Sequence, residues 1–223
     1  MSLVQWCRDL PAPRPAALSL QQVVCRFGAV TAIDNVDLDV APGEHVVLMG
    51  ANGSGKSTLL RTVLGLHPYE QGCILLDGAA AGDRADWAAV RRRVTWIPQR
   101  LRTGSFPLLL GELLASSGDR EMTMAAAGHL GLNGLQERPL SRLSGGQLQR
   151  AFVARAIGGV CAGAGLLLAD EPTAALDFDA QQLVAAALDE LRVTVLVVSH
   201  DVRLAAGARR LVEMAGGHLR EIR

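Results

Sequence analysis

Apolar residues along the chain change period several times, and each change marks a predicted element. Leu18–Phe27, Val36–Val40 and His45–Met49 read as strands, the last an unbroken apolar run typical of a buried strand. A glycine-rich stretch, Gly50–Gly55, leads into helical spacing over Lys56–Leu64. Cys73–Asp77 and Val94–Ile97 are further predicted strands. From about Gln99 to Gly159 the texture turns helical, rich in Leu, Ala, Glu and Arg. Gly165–Ala169 and Val193–Val198 return as continuous apolar runs, the pattern of parallel strands covered on both faces. A predicted helix over Ala180–Leu191 joins them into a strand–helix–strand unit. Leu211–Met214 and His218–Ile222, linked by Ala215-Gly216-Gly217, predict a terminal hairpin. Ahead of all this, Met1–Ala17 carries Pro11, Pro13 and Pro15 and predicts a loose or partly extended arm. The expected organisation is an arm over 1–17, then one domain over 18–223 interrupted by a helical insertion at about 99–160.

Composition narrows this picture. The 223 residues are 49% hydrophobic and 20% charged, enough for one cored α/β domain with an inserted subdomain and unlike a disordered chain. Formal net charge is zero. The basic excess that phosphate neutralisation demands of a duplex-binding protein is missing, so no nucleic-acid partner is expected. Cys7, Cys25, Cys73 and Cys161 form no CxxC or Cys/His cluster and read as scattered thiols of a reducing compartment, with a structural metal site as the alternative. His45, His67, His129 and His218 share no ligand spacing. No basic start followed by an apolar core suggests a signal peptide, and no run reaches the roughly 18 apolar residues of a spanning helix. The expectation is a soluble, cytosolic chain that borrows any membrane part from a partner.

Three stretches carry chemistry. Gly50-Ala51-Asn52-Gly53-Ser54-Gly55-Lys56-Ser57-Thr58 satisfies G-x-x-x-x-G-K-[ST], between a predicted strand and a predicted helix. Glycines let successive backbone N–H groups turn inward around phosphate oxygens, and a helix N-terminus adds partial positive charge. Lys56 would bridge the β- and γ-phosphates, Ser57 would bind Mg²⁺ and Thr58 would support the α-phosphate. Next, Leu166–Ala169 runs into Asp170-Glu171. A buried strand ending in two acids puts carboxylates at the sheet edge where ligands sit: Asp170 for Mg²⁺, Glu171 to polarise an attacking water. Pro172 behind them leaves a solvated acidic turn as the alternative. Finally, Leu143-Ser144-Gly145-Gly146-Gln147 opens a predicted helix, Gln147–Ile157, with Leu148, Phe152 and Ala156 on one face. This second anion-ready helix start has no lysine, lies in the helical insertion, and is expected to meet nucleotide bound by another copy. Arg91-Arg92-Arg93 reads as a solvated helix end, with a phosphate-facing role as the alternative.

Together these stretches resemble the nucleotide-binding subunits of ABC transporters, from about Leu18 to the C-terminus and with every motif in family order. Leu143–Gln147 resembles the family's signature motif, Gly50–Thr58 its Walker A loop, and Leu166–Asp170 with Glu171 its Walker B strand and base. Gln99 sits where the Q-loop glutamine belongs, Ala174-Ala175-Leu176-Asp177 resembles the D-loop, and His200 matches the switch histidine. Phe27 matches the aromatic residue that stacks on adenine, where the family more often has Tyr.

The resemblance implies an α/β fold: a P-loop NTPase (RecA-like) core with an N-terminal antiparallel β subdomain and an inserted α-helical subdomain. It implies ATP and Mg²⁺ as cofactors, the metal held through Ser57, Gln99 and Asp170, with Lys56, Glu171 and His200 at the γ-phosphate. Ser144, Gly146 and Gln147 would cover that phosphate from a partner, a second copy or a related ATPase subunit. Transmembrane permease subunits would receive the work at the cytoplasmic face of the membrane, joined in an importer by a secreted substrate-binding protein. The short insertion, with Phe106-Pro107-Leu108 soon after Gln99, looks most like the zinc- and manganese-importer branch. An exporter ATPase, a soluble non-transport ABC ATPase and a small P-loop kinase are the alternatives; the kinase should lack Leu143–Gln147 and His200.

Overall fold

Two sheets organise the molecule, whose computed structural model describes residues 2–10, 13–99 and 108–222. In the first, β1 (Leu18–Phe27), β2 (Val30–Val40), β4 (Gln71–Leu76) and β5 (Ala79–Ala80) run antiparallel in the order β2-β1-β4-β5. In the second, β3 (His45–Met49), β6 (Val94–Ile97), β7 (Leu166–Asp170), β8 (Thr194–Val198), β9 (Arg210–Ala215) and β10 (His218–Glu221) lie in the order β10-β9-β3-β8-β7-β6. All but β10 are parallel. The hairpin turn has φ of 55° at Gly216 and 84° at Gly217, the two positive values that a tight right-twisting connection requires. β2 begins six residues earlier than its apolar spacing predicts, because it keeps pairing with β1 through Val30 opposite Phe27.

The continuous apolar runs of β3, β7 and β8 have a simple cause: alternate residues serve two different cores. Val46, Leu48, Leu166, Leu168, Leu196 and Val198 point to the core shared with the antiparallel sheet and with α2 (Lys56–Val63). Val47, Leu167, Ala169, Val195 and Val197 point to the opposite core, beneath the helices. Those helices include α4 (Leu110–Ala115), α5 (Arg120–His129), α6 (Gly145–Cys161) and α7 (Phe178–Asp189). The fold is therefore the expected α/β P-loop arrangement, except that the antiparallel sheet also recruits β4 and β5 from beyond α2. No helix among the described residues is long and apolar enough to cross a membrane.

Three expectations need correction. The loose N-terminal arm instead contains α1 (Leu3–Arg8), capped by Ser2 and burying Leu3, Trp6 and Cys7. Trp6 lies 5.3 Å from the ring of His129 on α5, and Arg8 forms an ion pair with Glu190 just past α7. Beyond it, Ala16 donates to Gly165 O at 3.0 Å and accepts from Thr194 Oγ1, so the strap crosses the end of the parallel sheet. Three prolines break the segment after Leu10, yet Leu3, Trp6, Cys7 and Leu10 keep a helical i, i+3, i+4, i+7 spacing. Second, Arg91 and Arg92 form the expected exposed end of α3 (Arg84–Arg93), but Arg93 does not: it donates to Gly163 O, Arg14 O and Asp77, pinning that strap. Third, α6 runs four residues past Ile157, through Gly158 and Gly159. A Cβ at Gly158 would overlap Thr123 Oγ1 of α5, and one at Gly159 would lie 2.6 Å from Thr95 Oγ1 of β6. The glycines end nothing; they allow close approach on two sides. The Phe106-Pro107 feature lies outside the described residues.

Because that approach leaves no room, Gly158→Ala should destabilise the protein by about 1–3 kcal/mol. Adding Thr123→Ala should recover part of the loss in denaturant melts. Equal stability of Gly158→Ala and the parent would contradict the packing.

Candidate active site

The glycine-rich loop joins β3 to α2, and its backbone decides where everything else sits. Gly50 has φ of 140° and Gly55 of 109°, values that L side chains rarely adopt. A Cβ at Gly50 would overlap the Met214 carbonyl, and one at Gly55 the Ala32 carbonyl. Gly55 is also the N-cap of α2 and offers no side-chain acceptor, leaving the helix's first N–H groups for an anion. Lys56, almost wholly buried, curls over the loop and donates to Gly50 O at 2.6 Å, Ala51 O at 2.8 Å and Ser54 Oγ at 3.4 Å. Burial lowers its pKa, opposed by the carboxylates of Glu171 and Asp170.

A cleft of about 510 Å³ opens above this loop. Phe27, Asn52, Gly53, Gly55, Lys56, Ser57, Thr58, Gln99, Asp170 and Glu171 line it, so expected residues from four separate places in the chain converge. Ala32 and Val198 also line it; no motif marked them, since each is a small or branched strand residue whose neighbours alone give it meaning. Asp170 ends β7 at 2% exposure, and its Oδ1 is shielded with no hydrogen-bond partner among the described residues. Desolvation raises its pKa, partly offset by a hydrogen bond from Ser57 and by the charges of Arg61 and Lys56. A buried carboxylate with one orphaned oxygen and a serine hydroxyl beside it fits a hard divalent cation such as Mg²⁺.

Glu171 follows with φ of 51°, in the left-handed region uncommon for a residue with a side chain. Its N–H donates to Val198 O at 2.8 Å, while Gln149 Nε2 approaches its carbonyl at 3.4 Å and binds Pro172 O at 3.0 Å. That conformation turns the carboxylate toward β8: Oε2 accepts from Ser199 Oγ at 3.4 Å, and Oε1 lies 3.8 Å from His200 Nε2. Ser199 and Gln149 were not singled out from sequence. Their positions beside His200 and two residues after Gln147 are the only local signals.

The Leu143–Gln147 stretch is placed differently. Ser144 caps α6, accepting from Gln147 N at 3.2 Å, while Gln147 Oε1 accepts from Ser144 N at 3.0 Å. Gly145 and Gly146 lie against Ala175, and Asp177 caps α7 by accepting from Ala180 N. Ser144, Gly145, Gly146, Gln147 and Asp177 form a second group, none of which lines the cleft.

A phosphate-ready loop on a parallel sheet, facing a shielded Asp and a strained Glu, defines a nucleoside triphosphatase of the P-loop class. The family model described as "ABC transporter" matches residues 33–174, and the chain belongs to that family. The macrolide export ATP-binding/permease protein MacB of Escherichia coli is 38% identical over 203 residues, covering 85% of this chain and 31% of that protein. This chain thus spans about a third of that relative. The manganese transport system ATP-binding protein MntB of Listeria monocytogenes is 35% identical, covering 82% of this chain and 80% of that one. Among solved structures, the dimeric post-hydrolysis state of the ATP-binding cassette MJ0796 bound to ADP and Pi matches with a TM-score of 0.81 and 28% identity. It covers 92% of this chain and 98% of that one.

The orphaned Asp170 gives a test. A carboxyl whose folded pKa is raised favours folding below its unfolded pKa, and that advantage is lost as pH rises through the folded value. Asp170→Asn should therefore raise the melting temperature of nucleotide-free protein near pH 7, with the gain shrinking as pH falls into the carboxylate range. A gain independent of pH would refute the assignment.

Proposed function

We propose that this chain binds and hydrolyses ATP as one of two paired ATP-binding subunits of an ABC transporter, at the cytoplasmic face of a membrane. The observation that carries the reading is the split between two groups: Lys56, Ser57, Gln99, Asp170 and Glu171 share one cleft, and the capped start of α6 at Ser144 lies outside it. Lys56 would exchange its two loop carbonyls for β- and γ-phosphate oxygens, while the N–H groups at the start of α2 take the remaining phosphate charge. Ser57, Asp170 and Gln99 would hold Mg²⁺. When bound, that ion would neutralise charge on the β- and γ-phosphates. Phe27 would stack on adenine from the edge of the antiparallel sheet. Glu171 would take a proton from the attacking water, and His200 would steady charge at the γ-phosphate. Ser144, Gly145, Gly146 and Gln147 of a second copy, or of a related subunit, would close the site, with Asp177 at the same junction.

Closure around ATP and opening after hydrolysis would drive permease subunits, and in an importer a secreted substrate-binding protein would deliver cargo to them. For cargo we propose a divalent metal ion, in line with likeness to the manganese-transport relative. Likeness to a macrolide exporter of similar identity keeps export of another cargo as the second reading. Deletion of the gene should slow growth in metal-depleted medium with rescue by added manganese or zinc; normal growth there together with drug sensitivity would favour export.

Two enzymatic tests address the site. Glu171→Gln should reduce ATP turnover by at least about a hundredfold, in the range of a lost general base, while ATP-bound dimers accumulate in size-exclusion runs. Unchanged turnover would remove Glu171 from that role. Separately, Lys56→Ala and Ser144→Arg chains should each be inactive alone but regain activity when mixed. One of the two sites in the mixed pair combines an intact phosphate loop with an intact Ser144. If both elements served one chain's own site, mixing would restore nothing.

A further inference from the structure

Phe27 is half exposed at the end of β1, an unpromising position for a rigid platform. A ring on a sheet rim, next to a turn through Gly28, is ordinarily free to swing between rotamers. Here it is not free. The imidazole of His67 stacks on it, centroid to centroid at 4.1 Å and within 15° of parallel. Phe27 lines the cleft and His67 does not, so the histidine stacks on the ring from outside the cleft. The loop carrying His67 is itself tied to β1: Glu70 N donates to Val24 O at 2.8 Å, and the Glu70 carboxylate pairs with Arg26 at 3.2 Å. A Cβ at Gly72 would lie 2.5 Å from the carbonyls of both Gln21 and Gln22, so the chain enters β4 pressed against β1. His67 Nε2 is shielded and has no hydrogen-bond partner among the described residues, so the ring gives up solvation to hold this place.

We propose that His67 is a positioning residue for nucleobase recognition: it backs Phe27 and pre-orders it as the platform on which the adenine of ATP stacks. The proposal rests on the reading of the cleft as an ATP site and adds the element that makes its base-binding end rigid. Ordering a mobile aromatic side chain on binding costs affinity, and a ring already held by a second ring avoids that cost. The stack becomes three layers, His67, Phe27 and base, each pair joined by dispersion between parallel faces. Residues at the γ-phosphate are untouched by this arrangement, so His67 acts on binding and not on the chemical step.

The test measures KM and kcat for ATP, and inhibition by inorganic tripolyphosphate, which has the phosphates but no base. It uses the full chain and the variants His67→Ala, His67→Phe, Phe27→Ala and the Phe27→Ala/His67→Ala double. His67→Ala should raise KM for ATP about three- to tenfold, leave kcat at saturating ATP as in the parent, and leave tripolyphosphate inhibition unchanged. His67→Phe should restore KM, because the backing needs a flat ring and not an imidazole. The double variant should bind ATP no more weakly than Phe27→Ala alone. The inference is overturned if His67→Ala leaves KM unchanged, weakens tripolyphosphate equally, or adds its full effect to Phe27→Ala. If Phe27→Ala itself leaves KM for ATP unchanged while tripolyphosphate still inhibits the parent, the adenine-platform reading falls and His67 with it. A parent chain that neither hydrolyses ATP nor binds tripolyphosphate would reject the underlying site instead.

Discussion

The loop from Gly50 to Gly55 passes so close to the carbonyls of Met214 and Ala32 that neither glycine could carry a side chain. Those two carbonyls belong to different sheets, Met214 to β9 and Ala32 to β2. The phosphate loop is therefore gripped between the parallel and antiparallel sheets, and the hairpin turn reinforces the grip where Gly217 N donates to Ser54 O. Positive φ at both glycines aims backbone N–H groups into one concavity without paying the steric penalty a Cβ would impose. The α2 axis, the position of Lys56 and the reach of Ser57 toward Asp170 all follow from this clamp.

Charge is stored around that loop in an unrelieved form. Among the described residues, Lys56 donates to two loop carbonyls and one hydroxyl, and Asp170 is shielded with one oxygen unsatisfied. Burial pushes the lysine pKa down and the aspartate pKa up, so each charge is held at a cost in the free cleft. A polyanion and a divalent cation arriving together would relieve both at once, which makes the free site complementary to the pair more than to either alone. Glu171 differs: its left-handed backbone is fixed by Val198 O and by Gln149, turning its carboxylate toward Ser199 and His200.

Gln149 also links the cleft residues to the start of α6. It sits on α6 two residues beyond the Ser144–Gln147 capping box, and its amide binds the backbone of the Glu171-Pro172 turn. Gly146 packs against Ala175 a few residues further on. The start of α6 is thus held at a fixed offset from the Glu171 carboxylate of its own chain, yet outside the cleft that the carboxylate lines. In the proposed pairing, that helix start would reach the phosphate bound by a second molecule.

The strands, the phosphate loop, the acid pair and the capped start of α6 were legible in the sequence because each is a local arrangement. Period, glycine placement and one N-cap suffice to specify them, and chain neighbours supply the partners. Family order then assembled Gln99, His200 and Phe27 around them. What the sequence could not decide was every feature made by contact between distant segments. The N-terminal strap became a docked helix because α5, α6 and α7 offered a surface for Leu3, Trp6 and Cys7. α6 ran on through Gly158-Gly159 because Thr123 and Thr95 stood too close for any side chain. Arg93 found three acceptors from other parts of the chain, and His67 found the back of Phe27. Local propensity is a sum over neighbours in sequence, whereas burial, orphaned charge and ring stacking depend on neighbours in space, which only the folded chain supplies.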